Sequence, residues 1–141
     1  MRGPRGVPVR TTGSDFPNHK AGSICRLTLE NFMCTDNVCY NFNQNLNFLL
    51  GANGTGKSTI VCALYLLFDG NVKNLGRCPN LKEFINNERN NNDAKITVAI
   101  KKKDGGQFRI RRSWGSSSGT SVWYVHVYHF VVSFLSVEAL L

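Results

Sequence analysis

The fold is decided by one short stretch of the sequence, Gly51-Ala52-Asn53-Gly54-Thr55-Gly56-Lys57-Ser58. It matches the phosphate-loop pattern G-x-x-x-x-G-K-[ST] without a mismatch. An apolar, strand-like run precedes it at residues 46–50, and an apolar, helix-like run follows at residues 58–68. A glycine-rich turn before an ordinary helix is the alternative, but strand, loop and helix in this order are the context that the pattern requires. The sequence therefore predicts a loop that cradles phosphate groups.

Each residue type in this loop has a chemical role. Glycines let the backbone turn tightly, so that successive N–H groups face phosphate oxygens, and the following helix adds the positive end of its dipole. Lys57 is expected to reach the β- and γ-phosphates as the catalytic cation, while the Ser58 hydroxyl ligates Mg²⁺. The predicted cofactor-binding residues are Gly51, Ala52, Asn53, Gly54, Thr55, Gly56, Lys57, Ser58 and Thr59.

Composition limits the class of protein. The chain has 141 residues, which is enough for one modest core and favours a single domain. Its formal charge of +8 suits a polyanionic partner, although basic surfaces also serve solubility. The five cysteines form no C-x-x-C pair, which is typical of reduced thiols in a cytosolic or nuclear protein. Residues 1–20 have no apolar core and predict no secretory signal.

The first half of the chain leads into the loop. Residues 1–22 carry prolines, glycines and arginines and predict a disordered basic tail, whose arginines either contact nucleic acid or are solvated. Alternation of apolar and polar residues predicts a first strand from Ser23 and a second, short strand at residues 38–42. With residues 46–50 as a third strand, the opening is a small β meander.

The loop is expected to continue into a helix over residues 58–68. Its apolar residues occupy most of the circumference, which predicts burial against a sheet, and Gly70 is the expected stop. Residues 71–80 are predicted to form a loop and residues 81–85 one helical turn. An asparagine-rich connection follows at residues 86–92.

The second half predicts antiparallel strands. Residues 95–101 and 108–112 flank Asp104-Gly105-Gly106, which is a hairpin signature. Glycine and serine predict a flexible turn or linker at residues 113–121. Residues 122–141 are apolar; their length permits a membrane span, whereas their histidines and their strand-like alternation oppose one.

Basic residues of the hairpin and of the loop after the helix are candidate nucleic-acid contacts. The hairpin brings six of them together, with Asp104 as the one opposing charge. Such a cluster attracts a phosphate backbone, but lysines also protect an exposed sheet edge, and both interpretations stay open. Arg77, taken alone, is a solvated surface arginine. The six hairpin residues are Lys101, Lys102, Lys103, Arg109, Arg111 and Arg112.

Hydrolysis of a nucleotide requires more than the cradle. It needs an acidic Mg²⁺ partner at the end of another strand and a group that orients the attacking water. No clean run of four apolar residues before Asp or Glu lies downstream of the loop; residues 134–138 come nearest, interrupted by Ser136. The histidines lack the spacing of a metal site. The sequence therefore supports nucleotide binding rather than turnover by this chain alone.

Over residues 22–114 the chain resembles the N-terminal half-head of a structural maintenance of chromosomes (SMC) ATPase, and most of all the fifth member, of the SMC5/6 complex. The first strand ends in Leu29-Glu30-Asn31-Phe32, and Leu75-Gly76-Arg77 follows the helix with the family's spacing. Asn53 narrows the resemblance to ABC-type heads. The segment Asn31-Phe32-Met33-Cys34 is more similar to the sixth member.

The resemblance implies an α/β fold, the N-terminal lobe of an ABC-type P-loop NTPase head with a small β meander, the P-loop, a buried helix and an antiparallel hairpin, incomplete as a head. It implies ATP and Mg²⁺ as cofactors, a nucleoside contact at residues 31–36, and Arg77 as the arginine that couples DNA to ATP turnover. The implied partners are DNA, a second SMC subunit (the sixth member), non-SMC subunits including a kleisin, and the C-terminal half-head. The implied location is the chromosome in the nucleus, with no membrane partner.

The chain also departs from the family. The family's coiled coil, hinge and C-terminal half-head, with its signature motif and Walker B acid, are not in this sequence. Trp123-Tyr124-Val125 resembles the next family strand, and residues from His126 onward match nothing in it. The expected organisation is a tail at 1–22, a half-head at 23–121 and an apolar segment outside the family pattern at 122–141, from a truncated or mispredicted gene product.

The first functional hypothesis is the ATP-binding portion of a chromosome-organising and DNA-repair ATPase, in which ATP binding and hydrolysis drive head engagement and DNA entrapment. The alternative is a non-hydrolysing module that contacts nucleic acid through its basic hairpin. A small P-loop kinase is a third option, but the sequence lacks its acidic strand end and its lid-like arginine cluster.

Overall fold

The structure is a computed structural model that describes residues 16–86, 92–117, 120–127 and 130–134. Its elements are β1 (Ile24–Phe32), β2 (Thr35–Asn41), α1 (Lys57–Leu67), β3 (Asp93–Lys101), β4 (Gln107–Gly115), β5 (Ser121–Val127) and β6 (Phe130–Phe134), with 3₁₀ helices at Val72–Leu75 and Leu81–Phe84. Within these residues the strands form one antiparallel sheet in the order β2-β1-β3-β4-β5-β6. Most of the predicted tail, most of the asparagine-rich connection and residues 135–141 lie outside the described residues.

The strand β1 confirms the alternation on which its prediction depended. Cys25, Leu27 and Leu29 are fully buried, and the residues between them are half-buried. Successive side chains of a strand point to opposite faces, so the sheet has an inner face towards the core and an outer face. The predicted second strand is β2, which begins three residues earlier and ends one residue earlier than the sequence indicates.

The core lies between α1 and the inner face of the sheet, and its largest fully buried side chains are Leu27, Leu29, Phe32, Leu66, Leu67, Phe84, Ile96 and Val98. On the other side of the helix, Val61 is 65% exposed and Phe68, just after it, is 50% exposed. The prediction that α1 is buried against a sheet is therefore confirmed, and its other side stays exposed because the sheet covers only one side within the described part of the chain.

The prediction of a strand at residues 46–50 is wrong. These residues lie outside any strand, and Phe48 and Leu50 are 77% and 88% exposed. A strand requires a neighbouring backbone to satisfy its N–H and C=O groups, and none of the six described strands pairs with this run. The phosphate loop is therefore framed by α1 after it, but not by the predicted strand before it.

The helix α1 ends in a Schellman motif. Asp69 donates its N–H to the Leu66 carbonyl at 3.2 Å, and Gly70 donates to the Tyr65 carbonyl at 2.8 Å. The helix therefore stops before Gly70, as predicted, and the left-handed residue of the motif is Asp69, with a φ of 63°. Gly70 is required for another reason, because a Cβ at this position would lie 2.2 Å from the Tyr65 ring.

The predicted hairpin is confirmed. The strands β3 and β4 pair antiparallel from Asp93 and Gly115 to Lys101 and Gln107, so the hairpin is longer than predicted. The flexible segment predicted at residues 113–121 is too long at both ends, because β4 extends to Gly115 and β5 begins at Ser121. Neighbouring strands satisfy the backbone there, which composition alone does not show.

The segment after this turn extends the sheet. The alternation through Trp123 and Val125 is confirmed, since both side chains are buried on the inner face of β5. β5 pairs with β4 on one side and with β6 on the other. Throughout the described ranges, no helix has the length and apolar character needed to cross a membrane.

Candidate nucleotide site and basic surfaces

The loop at residues 51–56 and the first turn of α1 form the candidate cradle. Gly54 and Gly56 have φ angles of +84° and +85°, a region in which a residue with a Cβ is strained. Gly56 is the N-cap of α1, and its carbonyl accepts the Thr59 N–H at 3.0 Å. The Thr55 hydroxyl donates to the Ala52 carbonyl at 2.8 Å and closes the loop. The backbone thus requires glycine at two positions of the loop, of which Gly56 belongs to the pattern.

The side chain of Lys57 folds back over this loop. Its Nζ donates to the Gly51 carbonyl at 2.6 Å and to the Ala52 carbonyl at 2.5 Å. The ammonium therefore lies at the positive end of the α1 dipole, which together with the loop amides favours an anion there. Ser58 is exposed on the first turn of the helix beside Lys57. The structure thus places a cation and a hydroxyl side by side at the loop.

The turn predicted as a nucleoside contact, residues 31–36, lies beside the cradle. The Sγ of Cys34 is 3.7 Å from the Oγ1 of Thr59. It is also 3.6 Å from where a Cβ on Gly56 would stand. Cys34 is exposed, so a group bound in the cradle can reach it. Contact of this turn with a nucleoside remains a prediction, whereas the position of the turn next to the phosphate loop is a feature of the fold.

This turn is held in an unusual backbone conformation. Asn31 and Met33 both have a φ of 52°, in the left-handed region, which asparagine tolerates and which costs a residue such as Met33 about 1–2 kcal/mol. The Met33 N–H donates to the Phe84 carbonyl at 2.8 Å, and the Asn86 N–H donates to the Asn31 carbonyl at 3.0 Å. The Asn31 amide donates to the Asp93 carbonyl at 2.8 Å. Contacts distant in sequence therefore fix the turn.

The residues present fit a nucleotide phosphate group with Mg²⁺. The left-handed glycines open the loop backbone towards solvent, Lys57 supplies positive charge, and Ser58 supplies the kind of oxygen ligand that Mg²⁺ prefers. The described part of the chain contains no group of three or more His, Cys, Asp or Glu side chains able to hold a metal ion by themselves. An ion in this site would accordingly be held by Ser58 together with phosphate oxygens.

The six basic residues of the hairpin do not form one cluster. Neighbouring residues of a strand point to opposite faces, so Arg111 and Arg112 are separated by the sheet. Arg111 lies on the outer face, where its Nε donates to the Thr97 Oγ1 at 3.1 Å. Arg112 lies on the inner face and is only 7% exposed.

The environment of Arg112 differs from what a nucleic-acid contact requires. Its Nη1 donates to the Leu66 carbonyl, and its Nε and Nη2 donate to the Ser121 hydroxyl at 3.1 and 3.0 Å. Burial lowers the pKa of the Arg112 guanidinium to about 10, and the negative charge of Asp69 partly opposes this shift by raising the pKa. The side chain is thus engaged within the protein and does not face a ligand.

The three lysines of the hairpin also differ in their surroundings. Lys101 is 6% exposed and cannot present its charge to a large partner. Lys102 lies 2.7 Å from the Asp104 carboxylate, and hydrogen bonds from Lys102 and from the Gly106 N–H lower the pKa of Asp104. Lys103 is exposed at the turn. Of the seven predicted nucleic-acid residues, only Lys103 and Arg77, in the loop between the two 3₁₀ helices, are exposed, and the other five are half-buried or buried.

The outer face of the sheet carries a basic row that the sequence did not predict. Cross-strand pairing aligns Arg26, Arg109 and His126, with Ala99 between the two arginines. Burial lowers the pKa of His126, and Arg111 and Arg109 lower it further. The alternation of β1 placed Arg26 on this face, but only the strand order brings it near Arg109.

Comparison with known proteins assigns the chain to a class. Residues 26–124 match the family described as the AAA domain, and because this range is well over half of the chain, the chain belongs to that family. The predicted fold, an incomplete lobe of a P-loop ATPase head, is confirmed.

Within this class the relatives are SMC5 and SMC6 proteins, which confirms the resemblance. The chain is 38% identical over 92 residues to structural maintenance of chromosomes protein 6 of Schizosaccharomyces pombe, covering 65% of this chain and 8% of that protein. It is 34% identical over 122 residues to protein 5 of the same organism, covering 86% of this chain and 11% of that protein. The chain therefore spans about a tenth of the length of these relatives.

Solved SMC heads share the fold. A structure described as "Structural biochemistry of ATP-driven dimerization and DNA stimulated activation of SMC ATPases" superposes with a TM-score of 0.66, covering 72% of this chain and 68% of that chain at 23% identity. An SMC head bound to the C-winged helix domain of ScpA superposes with a TM-score of 0.65, covering 72% and 35% at 24% identity. At these identities the likeness shows the fold alone.

Proposed function

We propose that this chain binds Mg²⁺-ATP at the cradle as the N-terminal part of an SMC5/6-type ATPase head, which organises chromosomes and serves DNA repair in the nucleus. The observation that carries the proposal is the position of Lys57, whose ammonium lies 2.6 and 2.5 Å from the Gly51 and Ala52 carbonyls above a loop with two left-handed glycines. The solved structure described as ATP-driven dimerization of SMC ATPases supports ATP as the nucleotide.

The residues of the chain divide the work of binding. Lys57 supplies a charge to the β- and γ-phosphates, loop amides donate to phosphate oxygens, and Ser58 holds Mg²⁺, which would neutralise phosphate charge. Thr59 and Cys34 border the site on the side of the turn after β1. A water-orienting base is not among these residues, so we expect binding without efficient turnover by this chain alone.

Titration of Mg²⁺-ATP into the full chain by isothermal calorimetry tests this function. Lys57→Ala removes charge-assisted hydrogen bonds worth about 1.5–3 kcal/mol, so we expect a dissociation constant at least about tenfold higher. Lys103→Ala is the matched control, because it removes an exposed lysine outside the cradle. Equal binding by the Lys57→Ala variant and the parent chain refutes the proposal.

In a complete head, we propose, the bound ATP is shared with a partner SMC subunit, the sixth member, and a kleisin joins the assembly. Support comes from the SMC relatives and from the solved head that binds part of ScpA. The exposed apolar side chains at Phe48, Leu50 and Val61 are of the kind that a further half-head covers. DNA contact through Arg77 and Lys103 belongs to the same proposal, since both are exposed.

The outer face favours a second candidate, a nucleic-acid-binding module. Arg26, Arg109 and Arg111 lie on it. The carboxylates of Glu30 and Asp93 lie beside Lys95, 3.7 and 3.4 Å from its Nζ. Phosphate contacts make affinity fall with salt, by a slope of about 0.9 per contact in a log–log plot. This candidate is supported if DNA binding weakens in Arg111→Gln, with a shallower dependence on salt, and persists in Lys57→Ala. DNA binding that does not depend on salt contradicts it.

A further inference from the structure

Two side chains from neighbouring strands close the C-terminal end of α1. Arg112 on β4 donates through Nη1 to the Leu66 carbonyl, and Trp123 on β5 donates from Nε1 to the Leu67 carbonyl at 3.1 Å. The last carbonyls of a helix lack the usual partner four residues further along the chain, so side chains can satisfy them. The helix that begins at the phosphate cradle is thus tied to the sheet at its other end.

The two donors are fixed relative to each other. The Cζ of Arg112 lies 4.1 Å from the centroid of the Trp123 ring, and the Ser121 hydroxyl accepts from Nε and Nη2 of the same guanidinium. All three guanidinium nitrogens therefore have an acceptor, which a buried charge requires. The positive charge also faces the negative end of the α1 dipole, where a cation is stabilising.

Packing constrains α1 from one side. Apolar contact is non-directional, and the sheet covers only one side of the helix, since Val61 stays 65% exposed. Directional contacts therefore add to the constraint on sliding and rotation that the close-packed face provides. The bonds to the Leu66 and Leu67 carbonyls are directional, and an 11-residue helix transmits their constraint over about 16 Å to its first turn.

We propose that Arg112 and Trp123 are positioning residues of the phosphate cradle, which fix where α1 presents Lys57 and the loop amides to a nucleotide. The proposal rests on the proposed function, because nucleotide binding is its readout. It also gives Arg112 a role inside the protein, in place of the nucleic-acid contact that the sequence predicted.

The test uses the full chain under conditions in which urea unfolding shows every variant to be folded. Trp123→Phe keeps a ring under the guanidinium and removes the N–H that donates to the Leu67 carbonyl. Arg112→Lys keeps the positive charge and removes the planar guanidinium with its several donors. We expect the dissociation constant of Mg²⁺-ATP to rise about tenfold in each variant, because small misplacement of binding groups is costly. Val125→Ala is the matched control: it removes buried volume on the same face of β5 and should leave the constant within about twofold.

Ser121→Ala is a milder variant that keeps the donors to α1 and removes the hydroxyl that orients the guanidinium. We expect about a threefold rise in the dissociation constant, between those of the parent and Arg112→Lys. If Trp123→Phe or Arg112→Lys does not fold, this variant decides the question. Unchanged affinity in the folded variants would show that the pair only stabilises the fold, and the proposal would be overturned.

Fluorescence gives a readout that a purely stabilising role would not move. The chain has two tryptophans, and the buried Trp114 Nε1 has no hydrogen-bond partner within the described residues, so Trp114→Phe removes an unpaired donor and leaves Trp123 as the single indole. In this background we expect Mg²⁺-ATP to change Trp123 emission, and Lys57→Ala to abolish the change. If Trp123 emission does not change at saturating Mg²⁺-ATP, the positioning inference is overturned and the proposed function stands. If the parent chain does not bind Mg²⁺-ATP, the proposed function is overturned as well.

Discussion

The Sγ atom of Cys34 lies 3.7 Å from the Oγ1 atom of Thr59, which joins the turn after β1 to the first turn of α1 across 25 residues of sequence. This contact makes the turn one wall of the candidate nucleotide site. It also places an exposed thiol at the edge of the cradle.

Alkylation of Cys34 by N-ethylmaleimide is expected to lower the affinity for Mg²⁺-ATP about tenfold, because the adduct fills space beside Gly56 and Thr59. The measurement is calorimetric titration before and after treatment, in a Cys39→Ser background that removes the other exposed cysteine. Cys34→Ser should bind normally and resist the reagent. Full affinity after complete alkylation would contradict the placement of the turn.

The end of α1 provides a stability prediction. Gly70→Ala puts a Cβ 2.2 Å from the Tyr65 ring, so we expect the free energy of unfolding to fall by about 2–3 kcal/mol. Gly76→Ala is the matched control: with a φ of +61° and nothing within 4 Å of the added Cβ, it should cost about 1 kcal/mol from backbone strain alone. Urea unfolding of both variants measures the difference, and equal losses would argue against the close approach.

The outer face gives a pH dependence. Burial lowers the pKa of His126 below its ordinary value of 6.5, and Arg111 and Arg109 lower it further. The unfolded chain therefore takes up a proton at a higher pH than the folded chain, so the free energy of unfolding rises with pH in the window just below 6.5 and falls as the solution is acidified through it.

The measurement is the difference in urea midpoint between the parent and His126→Gln, from about pH 7.5 to about pH 5. We expect the parent to lose stability relative to His126→Gln on acidification, and to lose less when Arg111→Gln is also present. A difference that is flat across this range, or that changes in the opposite direction, would show that His126 is not in the described environment.

The exposed run after β2 gives a solubility prediction. Phe48→Ser and Leu50→Ser remove side chains that are 77% and 88% exposed, so the free energy of unfolding should change by less than about 0.5 kcal/mol. Self-association, measured by sedimentation velocity, should decrease because an exposed apolar patch is removed. Leu66→Ala, at a fully buried position, should instead cost about 2–5 kcal/mol. A comparable loss at Leu50 would mean that this run is buried.

Much of the candidate site was predictable because it is local. The pattern from Gly51 to Ser58 fixes backbone amides, a cation and a hydroxyl within eight residues, and the structure confirms the helix that follows it. The hairpin around Asp104 was predictable for the same reason, since a short turn determines the pairing of the strands beside it.

The sequence by itself therefore determined the loop, the helix, the alternation of β1 and the hairpin, all of which depend on residues close together in the chain. Only the tertiary structure decided that residues 46–50 have no strand partner, that Arg111 and Arg112 lie on opposite faces, and that Arg112 holds the end of α1. These features depend on strand order and burial, because a strand needs a neighbour and a charged side chain is accessible only where no other element covers it.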